Sequence, residues 1–127
     1  MTKFVKILLI LNIFLVGACS KNTSITAVAE TEPVVTNGDA ADAPAIVINY
    51  RNPAQSIIFG TDKRAGVYSY NLSGKKISYS ALGEINNIDV RQSDNKIYIA
   101  ASNRSSQSIE FWVFNQQEFF KNINQFN

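Results

Sequence analysis

Histidine is absent from this 127-residue chain, and cysteine, methionine and tryptophan each occur once. Without histidine there is no imidazole general base, no histidine nucleophile and no histidine metal ligand. The single cysteine, Cys19, cannot close a disulfide within the chain, and the lipidation expected of it below removes it from thiolate catalysis and zinc binding. Long apolar runs are lacking too: residues 7–16, broken by Asn12, fall well short of the roughly 20 that a membrane span needs. There is no Gly-rich phosphate loop and no Gly-x-Ser-x-Gly elbow. No basic stripe with interleaved aromatics is present, so a nucleic-acid partner is not expected. Carboxylates, Lys, Arg and Tyr remain, with an oxygen-loving metal such as calcium.

What is there begins with a leader. Lys3 and Lys6 precede the apolar residues 7–16, and Val16-Gly17-Ala18-Cys19 has the small residues before a Cys that mark a bacterial lipobox. The expectation is a signal peptide over 1–18, an acylated Cys19, a flexible tether over 19–41 and a folded part over 42–127. Removing Lys3 and Lys6 leaves ten basic against ten acidic residues, so the mature part has no net side-chain charge. The expected place is the cell envelope, on a membrane through the N-terminal lipid; Ser20 after the Cys points to the outer membrane of a Gram-negative host.

The folded part writes one pattern twice. Ser-Ile-Ile-Phe-Gly-Thr-Asp-Lys-Arg (56–64) and Gly-Val-Tyr-Ser-Tyr-Asn-Leu (66–72) are answered by Lys-Ile-Tyr-Ile-Ala-Ala-Ser-Asn-Arg (96–104) and Ser-Ile-Glu-Phe-Trp-Val-Phe (108–114). Short strands repeating at about 40 residues have the spacing of β-propeller blades. Strands are predicted over 46–50, 57–61, 67–72 and 77–82, making one four-stranded antiparallel blade, and over 88–91, 97–102 and 109–114 in a second. Residues 118–127 fit either a fourth strand or a short helix. The class is all-β. Known propellers use about four to eight blades, so the roughly 85 residues from Asp42 onward make two at most. The chain is therefore expected to be truncated or to assemble with a complementing chain that brings the missing blades.

Five stretches carry a resemblance: Glu30-Thr31-Glu32-Pro33-Val34, Gly38-Asp39-Ala40-Ala41-Asp42-Ala43-Pro44-Ala45-Ile46, Gly60-Thr61-Asp62-Lys63, Asn86-Asn87-Ile88-Asp89-Val90-Arg91 and Ala100-Ala101-Ser102-Asn103-Arg104-Ser105. In this order and spacing the chain resembles the N-terminal part of the calcium-dependent β-propeller phytases. The resemblance implies two of six blades and a 3-phytase-like phosphate-monoester hydrolase. The implied substrate is phytate, inositol hexakisphosphate, attacked by water with the help of Ca²⁺. It makes Lys63 and Arg104 the cations that bind phosphate; Arg64 is left as a rim charge. Asp42, with the backbone carbonyls of Pro44 and Ile88, becomes a candidate calcium set.

Two departures stand out. Ala43 replaces the second carboxylate of the family's Asp-Asp-Pro-Ala run, and Val47 replaces its usual Trp. Asp39 and Asp89 read as turn and strand-end residues. The family's acidic calcium cluster and neighbouring Tyr come from later blades, and nothing after Phe114 resembles them, so no catalytic residue is assigned. The expectation is a phytase-like chain without turnover of its own. The alternative is a surface-anchored module that binds phosphorylated ligands.

Overall fold

The computed structural model describes residues 24–123. The leader and Cys19, which carry the signal-peptide and lipid-anchor expectations, lie outside the described residues, as do the last four positions. Seven strands run in chain order: β1 (Ala41–Val47), β2 (Ile57–Asp62), β3 (Gly66–Tyr70), β4 (Lys76–Ala81), β5 (Ile85–Ser93), β6 (Lys96–Asn103) and β7 (Ser108–Asn115). Helix α1 (Gln116–Asn122) follows. Strands β1 to β4 form one sheet and β5 to β7 another, each in sequence order and antiparallel throughout. The all-β class and the two blade-like meanders agree with the repeat; the described residues form no closed propeller.

Turn chemistry sets this topology. Asn or Asp side chains accept backbone N–H groups just beyond themselves: Asn49 from Arg51 and Asn52, Asp62 from Arg64, Asn71 from Ser73 and Lys75, and Asn103 from Ser105 and Ser106. Each such bond offers the backbone a local partner and stops the strand. Asp94 and Asn95 both take positive φ, 50° and 61°, which suits a two-residue hairpin closing Ser93 onto Lys96. Gly66 enters β3 at φ 149°, where a Cβ would collide with the Ser80 carbonyl.

Two boundaries differ from the sequence reading. The first strand is not 46–50 but Ala41–Val47. Pro44 is tolerated because β1 is an edge strand with a bulge between Ala41 and Pro44. The strand ends at Val47 because Asn49 turns the chain, its N–H bonded to Ser56 Oγ at 3.1 Å. Strand β5 extends past 88–91 at both ends. The segment left open between strand and helix is helical over Gln116–Asn122. The Asn115 side chain accepts from Gln117 N and Glu118 N at its start, an N-cap.

The core lies between the sheets. Val47 and Val67 of the first meet Ile85, Ile88, Ile97, Ile99 and Ala101 of the second. Phe119 of α1 seals one side, its ring 5.4 Å from Phe114 and 6.4 Å from Phe59. Ile85 and Ile97 are fully buried, and truncating either to Ala should cost about 2–5 kcal/mol. Residues 24–40 have no regular structure, and their segment packs on the first sheet: Glu32 N donates to Gly74 O at 2.8 Å and Val35 N to the Tyr68 hydroxyl at 3.3 Å.

One device recurs in both sheets. The bulge in β1 is held by Thr61 Oγ1, which accepts from Ala43 N at 2.9 Å; the bulge in β5 is held by Ser102 Oγ, which accepts from Asn87 N at 3.0 Å. Thr61 Oγ1 also donates to Asn86 O at 3.0 Å, so one hydroxyl fixes a bulge in its own sheet and fastens the next sheet to it. Gln92 adds a second fastening, its amide accepting from Ile48 N and donating to Ile48 O.

Candidate functional site

The β2–β3 and β6–β7 turns lie side by side at one end of the two sheets. Each turn starts from an Asx-type bond and carries a basic residue just past its strand: Lys63 after Asp62, Arg104 after Asn103. The backbones are anchored alike, Lys63 N donating to Ala40 O and Arg104 N to Glu84 O, both at 2.9 Å. Arg104 Nη2 then donates to the Lys63 carbonyl at 2.6 Å, tying one turn to the other. The two cations picked out in the sequence are thus on equivalent loops and in contact through backbone.

Lys63 is not free. Its Nζ donates to Asp39 Oδ2 at 2.8 Å; the lysine side chain is 21% exposed and the aspartate 85%. That hydrogen bond, with the Lys63 charge behind it, holds the Asp39 carboxyl below its ordinary range. Arg64 reaches the same segment, Nη1 to Asn37 O at 3.5 Å. Asp39, read from sequence as a plain turn residue, is therefore part of the cationic site. The signal that could have found it is its place in the Gly-Asp-Ala-Ala run just before β1, opposite a turn with two adjacent bases.

Beneath the turn, Asp62 is fully buried. Its Oδ1 accepts from Arg64 N at 3.0 Å, while Oδ2 has no hydrogen-bond partner among the described residues. Asn103, its counterpart in the second sheet, uses the matching atom, Nδ2, to donate to Leu82 O and Glu110 Oε1, both at 2.9 Å.

The calcium candidates are less well gathered. Asp42 and Pro44 line a cavity of about 170 Å³ under the segment 31–34, whereas Ile88 lines a different cavity of about 480 Å³ between the sheets and α1. Among the described residues no three of His, Cys, Asp and Glu converge. One carboxylate and two strand carbonyls fall short of the about six to eight oxygens that calcium takes, so these residues do not make a calcium site by themselves. Asp89 pairs with Arg91 at 3.0 Å on an exposed face. The larger cavity is mostly apolar, lined by Phe59, Ile99, Trp112 and Phe119 with Glu118 and Asn122 at its edge.

A family model described as Phytase matches residues 6–127. The 3-phytase of Bacillus subtilis (strain 168) is 42% identical over 86 residues, an alignment that takes in 64% of this chain and 22% of that protein. The chain thus spans about a fifth of the length of this curated relative.

Proposed function

The chain belongs to the phytase family, and from that premise we propose that its paired turns bind the phosphoryl groups of a phosphorylated substrate, as part of a phytase-like phosphate-monoester hydrolase. The observation that carries this reading is the 2.6 Å bond from Arg104 to the Lys63 carbonyl, which joins two equivalent turns that each carry a cation. A guanidinium already held by a backbone carbonyl costs little to organise when an anion arrives, and Arg–phosphate bonds are charge-assisted. Inositol hexakisphosphate, with phosphoryl groups around one ring, could place neighbouring groups on Lys63 and Arg104 together.

Within this reading residues 1–127 bind and orient the substrate. Water activation near neutral pH calls for a metal cluster or a base, and among the described residues no three carboxylates gather at the paired turns, where Asp39 is held by Lys63 and Asp62 is buried. Calcium, when bound, would supply that activation, and Asp42 is the carboxylate this chain could offer; the remaining oxygens would come from elsewhere. Hence the second reading, a module that captures phosphorylated ligands without turnover. The Val16-Gly17-Ala18-Cys19 motif supports acylation at Cys19 and a place in the cell envelope, and Ser20 after it supports the outer membrane; Cys19→Ala should leave an unprocessed precursor.

The test is calorimetric titration of the full chain with inositol hexakisphosphate. Lys63→Ala and Arg104→Ala should each weaken binding by about tenfold or more, the scale of one charge-assisted contact. Equal affinity in all three proteins, with unchanged circular dichroism, would overturn the assignment. Phosphate release by the same material, lost on adding a chelator, would decide for turnover over capture.

A further inference from the structure

An anion that reaches the paired turns finds a carboxylate already there. Asp39 sits on the open side, 85% exposed, with its Oδ2 2.8 Å from a Lys63 ammonium that is itself only 21% exposed. The lysine is packed, so the partner able to leave is the aspartate. Its backbone need not move with it. The segment is pinned independently by Lys63 N to Ala40 O, Ala40 N to Gly38 O and Arg64 Nη1 to Asn37 O. Release of Lys63 therefore takes a rotation of one exposed side chain, against an ion pair of the weak, solvent-screened kind.

The second turn lacks this arrangement. Lys63 N and Arg104 N donate to Ala40 O and Glu84 O respectively, which makes Gly83 the counterpart of Asp39. Gly83 has no side chain to offer Arg104, whose guanidinium goes instead to the Lys63 carbonyl. The carboxylate is thus a feature of one turn and not a by-product of the repeat.

We propose that Asp39 is a resident anion of the Lys63–Arg104 site, a latch that occupies the Lys63 ammonium until a phosphoryl group displaces it. The inference rests on the phosphoryl-binding reading of that site and adds its selectivity. A phosphoryl group carries about −1.5 to −2 near neutral pH, a carboxylate −1. Monoanions compete with Asp39 on equal terms and gain little; a phosphoryl dianion outbids it. The latch makes the site discriminate by charge, leaving inorganic monoanions and carboxylic acids outside.

The experiment titrates the full chain with inorganic phosphate and, separately, with acetate, comparing wild type, Asp39→Asn and the control Asp94→Asn. Asp94 lies in the β5–β6 turn at the opposite end of its sheet, so its change alters net charge equally without touching the site. In Asp39→Asn phosphate should bind tighter by up to about fivefold, the range of an exposed ion pair. Acetate should gain at least as much, so that discrimination falls, while Asp94→Asn matches wild type. Adding Lys63→Ala to Asp39→Asn should cancel the gain; a gain that survives without Lys63 overturns the latch. Unchanged or weaker phosphate binding in Asp39→Asn also overturns it, because Asp39 would then be orienting Lys63. In that case weakened binding in Lys63→Ala and Arg104→Ala leaves the phosphoryl site standing. No phosphate binding by any of these proteins removes both.

Discussion

At the scale of residues, the two repeats differ most where they are most alike in backbone. Asp62 and Asn103 begin the same turn, yet the amide satisfies both of its ends and the carboxylate only one. A buried oxygen without a donor carries a desolvation cost of about 1–3 kcal/mol. Asp62→Asn keeps the acceptor for Arg64 N, removes a buried charge and supplies an N–H where the second sheet has one. It should raise the urea midpoint, by an amount equivalent to about 1 kcal/mol. A lower midpoint would mean that the carboxylate charge is stabilised by the adjoining bases. Lys63 and Arg104 could be read in the sequence because repeat position and flanking motifs agreed on them. Asp39 was harder to read: its partner lies 24 positions away in a contact that no periodicity marks, and only its place in the Gly-Asp-Ala-Ala run points to it.

At the scale of elements, local chemistry was legible where it is local. The hairpins β2–β3 and β6–β7 declare themselves by alternating apolar residues around Asp or Asn turns, and their observed bounds lie within two residues of those expected. Strand β1 was not legible, since Asp42-Ala43-Pro44 reads as loop until the bulge and the edge position are known. Residues 118–127 were ambiguous because Phe119, Phe120 and Ile123 suit a half-buried helix as well as a strand; over the described part, to residue 123, the Asn115 cap decides. Asn115→Ala removes the acceptor for Gln117 N and Glu118 N and should destabilise the chain by about 1 kcal/mol. It should also loosen Phe119 from Phe59, seen as faster hydrogen exchange over 117–123. Exchange that matches wild type there would show that the aromatic packing, and not the cap, holds α1.

At the scale of the molecule, two sheets are joined by an apolar core and a few polar fastenings, and among the described residues nothing covers the outer face of the second sheet. Ile109, Phe111 and Val113 are 67%, 61% and 48% exposed, whereas Val67 and Ser69, the counterparts of Ile109 and Phe111 in the first sheet, are buried against the second. The repeat in the sequence anticipated such faces, because a sheet built like a blade packs on a neighbour on each side. Residues 31–35 stood out in the sequence as a motif, but not as a strap over the far side of the first sheet, because contacts such as Glu32 N to Gly74 O and Lys76 N to Glu32 Oε2 join positions about 40 apart with no periodic mark.

The Thr61 hydroxyl has a consequence in time as well as in space. Its bond to Ala43 N belongs to the β1–β2 hairpin, but its bond to Asn86 O cannot form until both sheets exist and have met. Hairpins close in microseconds, whereas a contact between separately formed sheets belongs to docking, on the far side of the rate-limiting barrier. Thr61→Val loses both bonds, so it should slow refolding about as Ser102→Ala does and add to that a larger rise in the unfolding rate, the share of the bond between sheets. Ser102→Ala, which breaks a bond within a single sheet, should divide its effect between both limbs of the chevron. Equal partitioning by the two substitutions would mean that the sheets assemble together, with the bulges and the seam between them already in place at the barrier.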